Sequence, residues 1–259
     1  GENSEEGFEA TTAEILKTFD KARSSKHVPF CVFKMTGLAD AAVLEQVKPG
    51  EAQGEISTAF GRIRNRVDRI CRRAHELDIP VLIDAEETWI QQPIDMLVTE
   101  MMQKYNRKRA IVYNTLQMYR CDMMENLMRS LVLAASGGYF LGLKLVRGAY
   151  LEKERKRAAE RGYKDPILPS KEATDGAFDK ALAFCLENRQ RISIVCGSHN
   201  ERSNQFLTEL MRKNDMRPND QRVWFSQLLG MSDNITFNLA KAGYRVAKYG
   251  PYGPVEAGM

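Results

Sequence analysis

Seven short apolar runs with helical periodicity between them constrain this chain more than any other feature. They are Phe30–Met35, Pro80–Asp84, Arg109–Tyr113, Phe140–Val146, Ile192–Cys196, Val223–Gln227 and Tyr244–Lys248. Runs of this length without apolar–polar alternation are the pattern of strands buried on both faces, as in a parallel sheet. Their starts are mostly about 30 residues apart, the length of one βα unit. The connections after the first and fourth runs, about 50 residues each, are too long for a single helix.

Between the runs the period changes. Ile56, Phe60, Ile63, Val67, Ile70, Ala74 and Leu77 recur every three or four residues and form the buried stripe of one long helix. Arg62, Arg64, Arg66, Arg69, Arg72 and Arg73 fall largely off that stripe and read as a solvated face. Further helices are expected over 11–25, 94–105, 122–135, 151–162, 171–188, 201–213 and 233–242. Thr11/Thr12 followed by Glu14 is the expected cap of the first. Ala39–Glu55, with Lys-Pro-Gly and Gln-Gly-Glu, reads as a surface loop, and so does Gly162–Ser170.

Alternating βα units leave two architectures, a closed (βα)8 barrel or an open doubly wound sheet. A Gly-x-Gly-x-x-Gly turn after the first strand would favour the open sheet, and it is absent, as is a Gly-x-x-x-x-Gly-Lys phosphate loop. With 259 residues and 43% hydrophobic composition, one domain is expected: an N-terminal helical segment over 1–29 and a barrel over 30–259. Lys and Arg exceed Asp and Glu by only four, which suits anionic small molecules and does not call for nucleic acid. Cys31, Cys71, Cys121, Cys185 and Cys196 are scattered without Cys-x-x-Cys spacing, so neither a zinc site nor a disulfide framework is expected, and a reducing compartment is. The longest apolar stretches, such as Ser130–Ser136, are too short to span a membrane.

In a parallel barrel the chemistry lies at the carboxyl ends of the strands. Here nearly every run closes on polar residues: Lys34; Asp84 and Glu86; Gln117; Lys144, Arg147 and then Tyr150; Ser198, His199 and Asn200; Gln227; and Tyr249. Cations, amides and aromatics converging from different strands point to an enzyme. An ammonium such as Lys34 inside an apolar strand needs a carboxylate, either Asp84 of the next strand or one from a ligand. Asp84 could instead cap the helix starting near Thr88. Gly148 permits close backbone approach. Asp84 and Glu86, two residues apart on one strand, are poorly placed to flank a glycosidic bond.

These residues also carry a family likeness. Lys144-Leu-Val-Arg-Gly-Ala-Tyr150, Ile83-Asp-Ala-Glu-Glu87, Ser198-His-Asn200, Gln227-Leu-Leu-Gly-Met231 and Lys248-Tyr-Gly-Pro-Tyr-Gly253 together resemble proline dehydrogenase in its eukaryotic, mitochondrial form, over roughly residues 30–253. The resemblance implies a distorted (βα)8 TIM-type barrel holding FAD noncovalently. It implies oxidation of L-proline to Δ1-pyrroline-5-carboxylate by hydride transfer to the flavin, with a quinone as electron acceptor and peripheral association with the inner mitochondrial membrane. Carried over by motif, Lys34, Asp84, Tyr150, Leu228 and Tyr249 would line the substrate pocket. Gln117, Lys144, Val146, Gly148, Ser198, His199, Asn200 and, less securely matched to the pattern, Gln227 would contact FAD; no metal is implied.

The resemblance also bears on the substrate. In hydroxyproline-oxidising relatives the position of Tyr249 is small, so Tyr favours proline, with hydroxyproline the alternative substrate. The family pattern continues into a helix bearing a Tyr-Leu-x-Arg-Arg motif beyond Val255–Met259, and it has a strand before the one carrying Lys34. About seven strands and no final helix are therefore expected here. On that count a catalytically impaired binding module is the second alternative.

Overall fold

The computed structural model describes residues 2–25, 27–48 and 54–250. Helix α1 (Glu5–Ser24) leads into strand β1 (Cys31–Lys34), a 3-10 turn over Met35–Gly37, and helices α2 (Ala41–Gln46) and α3 (Gly54–Leu77). Then follow β2 (Val81–Asp84), α4 (Thr88–Tyr105), β3 (Val112–Gln117), α5 (Met123–Gly137) and β4 (Leu141–Val146). The chain continues through α6 (Leu151–Arg161), α7 (Lys171–Glu187), β5 (Ile192–Gly197), α8 (Glu201–Lys213), β6 (Val223–Leu228), α9 (Asp233–Lys241) and β7 (Val246–Tyr249). All seven strands are parallel and pair in chain order, β1-β2-β3-β4-β5-β6-β7. A doubly wound sheet would reverse its order at a switch point, so sequential pairing identifies the winding of a distorted (βα)8-like barrel left open between β1 and β7.

The sheet curls far enough to have an inside. Phe30, just before β1, meets Trp224 of β6 with ring centroids 4.9 Å apart. Together with Leu82, Ala110, Tyr113 and Val195 they fill a small interior cluster. Gly142 on β4 makes room for it, since a Cβ there would lie 2.7 Å from the Tyr113 ring. The opposite parity of the same strands, including Phe33, Ile83, Leu143, Ile194 and Phe225, packs outward beneath the helices in the main core. Because side chains alternate along a strand, this divides every strand into a core face and a lumen face.

Four expectations are corrected. Helix α1 starts at Glu5, and Ser4, whose side chain accepts from the Gly7 amide at 3.1 Å, is its cap. Thr11 and Thr12 lie inside the helix, where their hydroxyls donate back to the Gly7 and Phe8 carbonyls. The stretch 39–55 is not all loop, for Asp40 caps α2 through the Ala42 amide; residues 49–53 lie outside the described residues. Strand β3 occupies 112–117 and not 109–113, because its polar residues Asn114, Thr115 and Gln117 are buried and satisfied. Arg66 is not on a solvated face: it is 2% exposed, donating to the Leu38 carbonyl at 3.0 Å and to Glu5 at 2.8 Å. The neighbouring Arg62, Arg69 and Arg73 pair with Glu5, Glu9 and Asp20, so the arginine row docks α1 onto α3.

Among the described residues, no helix is long and apolar enough to cross a membrane, and no cluster of His, Cys, Asp and Glu has the makings of a metal site. All five cysteines are free, and only Cys121 is exposed.

Candidate active site at the strand carboxyl ends

A cleft of about 650 Å³ opens at the carboxyl ends of the strands, and all thirteen residues to which the resemblance gives a role line it, together with Arg147; Glu86, also a strand-end residue, lies buried outside the lining. Strand parity explains most of this convergence. Lys34, Asp84, Gln117, Lys144, Val146 and Leu228 share the lumen-facing parity of the interior cluster and lie two or four residues beyond its level, and Tyr249 stands in register beside Leu228. Gln227 has the opposite parity. It is buried between β6 and α9, where it donates to the Ser198 carbonyl at 3.2 Å and accepts from the Thr236 hydroxyl at 2.9 Å.

The floor of the cleft is built around Asp84. Its carboxylate takes the Lys144 ammonium on one oxygen at 2.7 Å and the Tyr249 hydroxyl on the other. Lys144 also lies 4.3 Å from the centroid of the Tyr249 ring, a cation–π contact. Residues of β2, β4 and β7 thus meet across the mouth. Burial, with the Asp84 charge beside it, pushes the Tyr249 phenol far above its usual range. Asp84 does not cap the following helix. The Thr88 amide and hydroxyl instead bind the buried Glu154, at 2.7 and 2.6 Å.

Lys34 does not pair directly with Asp84, although the two stand opposite each other in the β1–β2 register. Its ammonium reaches outward to the Tyr150 hydroxyl at 3.5 Å. Burial alone would lower its pKa, but the Tyr150 hydroxyl and the carboxylates of Asp84 and Glu86 outweigh that and hold it above the ordinary lysine value. Burial raises the Tyr150 phenol, an effect only partly offset by Lys34. A protonated amine facing an open cleft suits an anionic ligand group.

The far wall comes from the β4 and β5 turns. Gly148 has φ +141°, and a Cβ there would lie 2.5 Å from the Tyr119 ring, so only glycine lets this turn run against that ring. Arg147, whose role the sequence left unassigned, is a hub. It donates to Asp175 at 2.5 Å, to Ser198 at 2.8 Å and to Ser203 at 2.9 Å, and stacks 4.4 Å from the Phe178 ring centroid. Ser198 also accepts from the Asn200 amide, and Asn200 caps α8 through the Ser203 amide. His199 meets Ser232 at 2.9 Å, and burial with nearby Lys248 lowers its pKa. Thr115, Gly197 and Ser226 also line the cleft and were missed; their lumen-facing parity was the available signal.

The pattern of a proline dehydrogenase family model matches residues 1–259, the whole chain. The chain belongs to the proline dehydrogenase family. It is 42% identical over 197 residues to mitochondrial proline dehydrogenase 1 of Homo sapiens, covering 75% of this chain and 33% of that protein. To the hydroxyproline dehydrogenase of Xenopus laevis it is 37% identical over 210 residues, covering 80% of this chain and 45% of that protein. The chain therefore spans about a third to a half of these relatives. Among solved structures, proline utilization A of Bdellovibrio bacteriovorus, inactivated by N-propargylglycine, superposes with a TM-score of 0.85. That match is at 21% identity and covers all of this chain and 28% of that one. The likeness supports the shared barrel fold.

Proposed function

We propose that this domain oxidises L-proline to Δ1-pyrroline-5-carboxylate with noncovalent FAD. The observation that carries the reading is the cleft itself, where the Lys34 ammonium with Tyr150, and the Asp84 carboxylate with Tyr249, face one volume from four strand ends. The donor set fits a flavin, because amide, hydroxyl and imidazole groups of Gln117, Ser198, His199 and Asn200 and the Lys144 cation border the same cleft as apolar Val146. Those residues, with Gly148, would hold it; Gln227, tied to Ser198 and Thr236, would border it. When bound, FAD supplies the hydride acceptor.

The protein's own residues supply binding and orientation. Lys34 neutralises the substrate carboxylate. Tyr150, Tyr249 and Leu228 wall a small saturated ring, and Asp84 holds the Tyr249 ring fixed through its hydroxyl. Lys144, kept in place by Asp84, would offer a bound flavin a nearby positive charge that favours an anionic reduced form. The amine must shed its proton before or during hydride loss, because a cationic nitrogen cannot push electrons toward the departing hydride.

In the same reading the electrons pass on to a quinone, at a mitochondrial inner membrane with which the protein associates peripherally. No nucleic acid is involved. The test is anaerobic addition of L-proline to the FAD-reconstituted chain. The visible flavin band should bleach, and an unchanged band refutes the proposal.

Hydroxyproline is the competing substrate, given the Xenopus relative. The bulk of Tyr249, fixed over the cleft, argues against it. Tyr249→Ser should shift the ratio of turnover toward hydroxyproline, and an unchanged ratio removes Tyr249 as the selector.

A further inference from the structure

We propose that Glu86 is a positioning residue, which aims the Lys34 ammonium and the Tyr150 hydroxyl at a substrate carboxylate through a closed ring of hydrogen bonds. The inference rests on the reading of the cleft as an amino-acid site. Glu86 lies two residues beyond Asp84 and is 3% exposed. A carboxylate buried that deeply requires donors. It finds them in a single residue on another strand end, accepting from the Thr36 amide at 2.9 Å and the Thr36 hydroxyl at 2.5 Å. Thr36 belongs to the 3-10 turn that starts directly after Lys34, so the clamp fixes the backbone from which Lys34 projects.

Glu86 is itself held from both sides. Its amide donates to Gln91 at 2.8 Å, and its carbonyl accepts from Gln117 at 2.8 Å. The same Gln117 side chain accepts through its Oε1 from the Ala149 amide at 3.2 Å, one residue before Tyr150. Lys34 to Tyr150, at 3.5 Å, closes the ring. The ring joins the ends of β1, β2, β3 and β4. Its Lys34–Tyr150 link is its longest and, at that distance, weak. Tyr150 alone therefore cannot fix Lys34, and the short Glu86–Thr36 bonds set where the ammonium stands.

The experiment compares Thr36→Val and Glu86→Ala with the unsubstituted FAD-reconstituted protein, each also in a Lys34→Met background. Two inhibitors of proline oxidation serve as probes: cyclopentanecarboxylate, which keeps the carboxylate, and pyrrolidine, which keeps only the amine. Both substitutions should weaken cyclopentanecarboxylate about tenfold, the scale of one misaligned charge-assisted hydrogen bond. Pyrrolidine affinity should stay within about twofold, and neither substitution should have any further effect once Lys34 is Met. Equal weakening of both probes, or full loss persisting in the Lys34→Met background, overturns the proposal in favour of a merely structural role. Thr36→Val, nearly isosteric, carries the test if Glu86→Ala fails to fold.

A second readout is independent of turnover: the acylation rate of Lys34 by a water-soluble N-hydroxysuccinimide ester, relative to exposed Lys156, followed by peptide mass spectrometry. Thr36→Val should change that ratio, and an unchanged ratio refutes the aiming role. Unsubstituted protein that proline fails to bleach refutes the oxidation reading alone, and the acylation ratio then decides this one.

Discussion

The pairing of Asp84 with Lys144 makes a sharp energetic prediction. Their side chains are 11% and 10% exposed and their charges lie 2.7 Å apart. Removing one member of a buried pair strands the other charge, typically at a cost of about 3–5 kcal/mol. Because this pair borders a cleft, the low end applies, so Asp84→Ala should cost about 3 kcal/mol. That figure includes the Tyr249 hydroxyl, which loses its acceptor. Lys144→Met should cost less, about 2 kcal/mol, since Asp84 keeps Tyr249. The double variant removes both charges and should recover about 2 kcal/mol relative to the sum. Urea and thermal unfolding of the FAD-free chain measure this without cofactor linkage. For a chain of this size, about 3 kcal/mol corresponds to a melting-temperature loss of roughly 6–12 °C. Losses that add within about 0.5 kcal/mol would refute the pairing as an energetic unit.

Three further outcomes are expected. Gly148→Ala forces a Cβ into the Tyr119 ring and an L-residue to φ +141°, so it should lose about 1–3 kcal/mol and retain less flavin through gel filtration; unchanged retention argues against it. Arg66→Met should cost about 1–3 kcal/mol by leaving the buried Leu38 carbonyl unpaired, whereas Arg69→Ala, on an exposed pair, should cost under about 1 kcal/mol, both read by urea melts. Hydrogen bonds from Arg66 and Arg69 hold Glu5 and Glu9 below the ordinary carboxylate value. Their stabilisation is thus complete above the unfolded pKa of 4.5 and lost as pH falls through the folded values. Protection of the α1 amides, taken relative to their intrinsic exchange rates at each pH, should therefore fall at acid pH, and the Glu5→Gln/Glu9→Gln variant should flatten that dependence.

The strands were legible because a parallel strand buried on both faces writes itself as an unbroken apolar run, and the polar residue closing each run marks where the core ends. The rule failed at β3, where Asn114, Thr115 and Gln117 are as buried as leucines but each binds a specific partner, Asp95, the Ile83 carbonyl and the Glu86 carbonyl. Arg66 is the mirror case. Its place in a row of arginines suggests solvent, and only the arrival of Glu5, Glu9 and Phe8 from α1, some 60 residues earlier in the sequence, makes its burial favourable. Which cation pairs with Asp84 was likewise invisible. Lys34 is its register neighbour, yet Lys144 reaches it from two strands away, because the curl of the sheet shortens the path across the mouth.

That curl separates the cleft into two mechanical halves. Asp84, Lys144 and Tyr249 are held by contacts spanning the mouth from β2 to β7, so their geometry depends on how far the open sheet closes. Lys34 and Tyr150 are held by a ring through adjacent strands β1 to β4, so theirs depends on local turns. A perturbation at the β7 edge should therefore disturb the carboxylate–ammonium–phenol cluster first and leave Lys34 nearly in place, whereas a change at Thr36 should do the reverse. The group assigned to the substrate carboxylate does not rely on β7, because every link of its ring lies among the ends of β1 to β4.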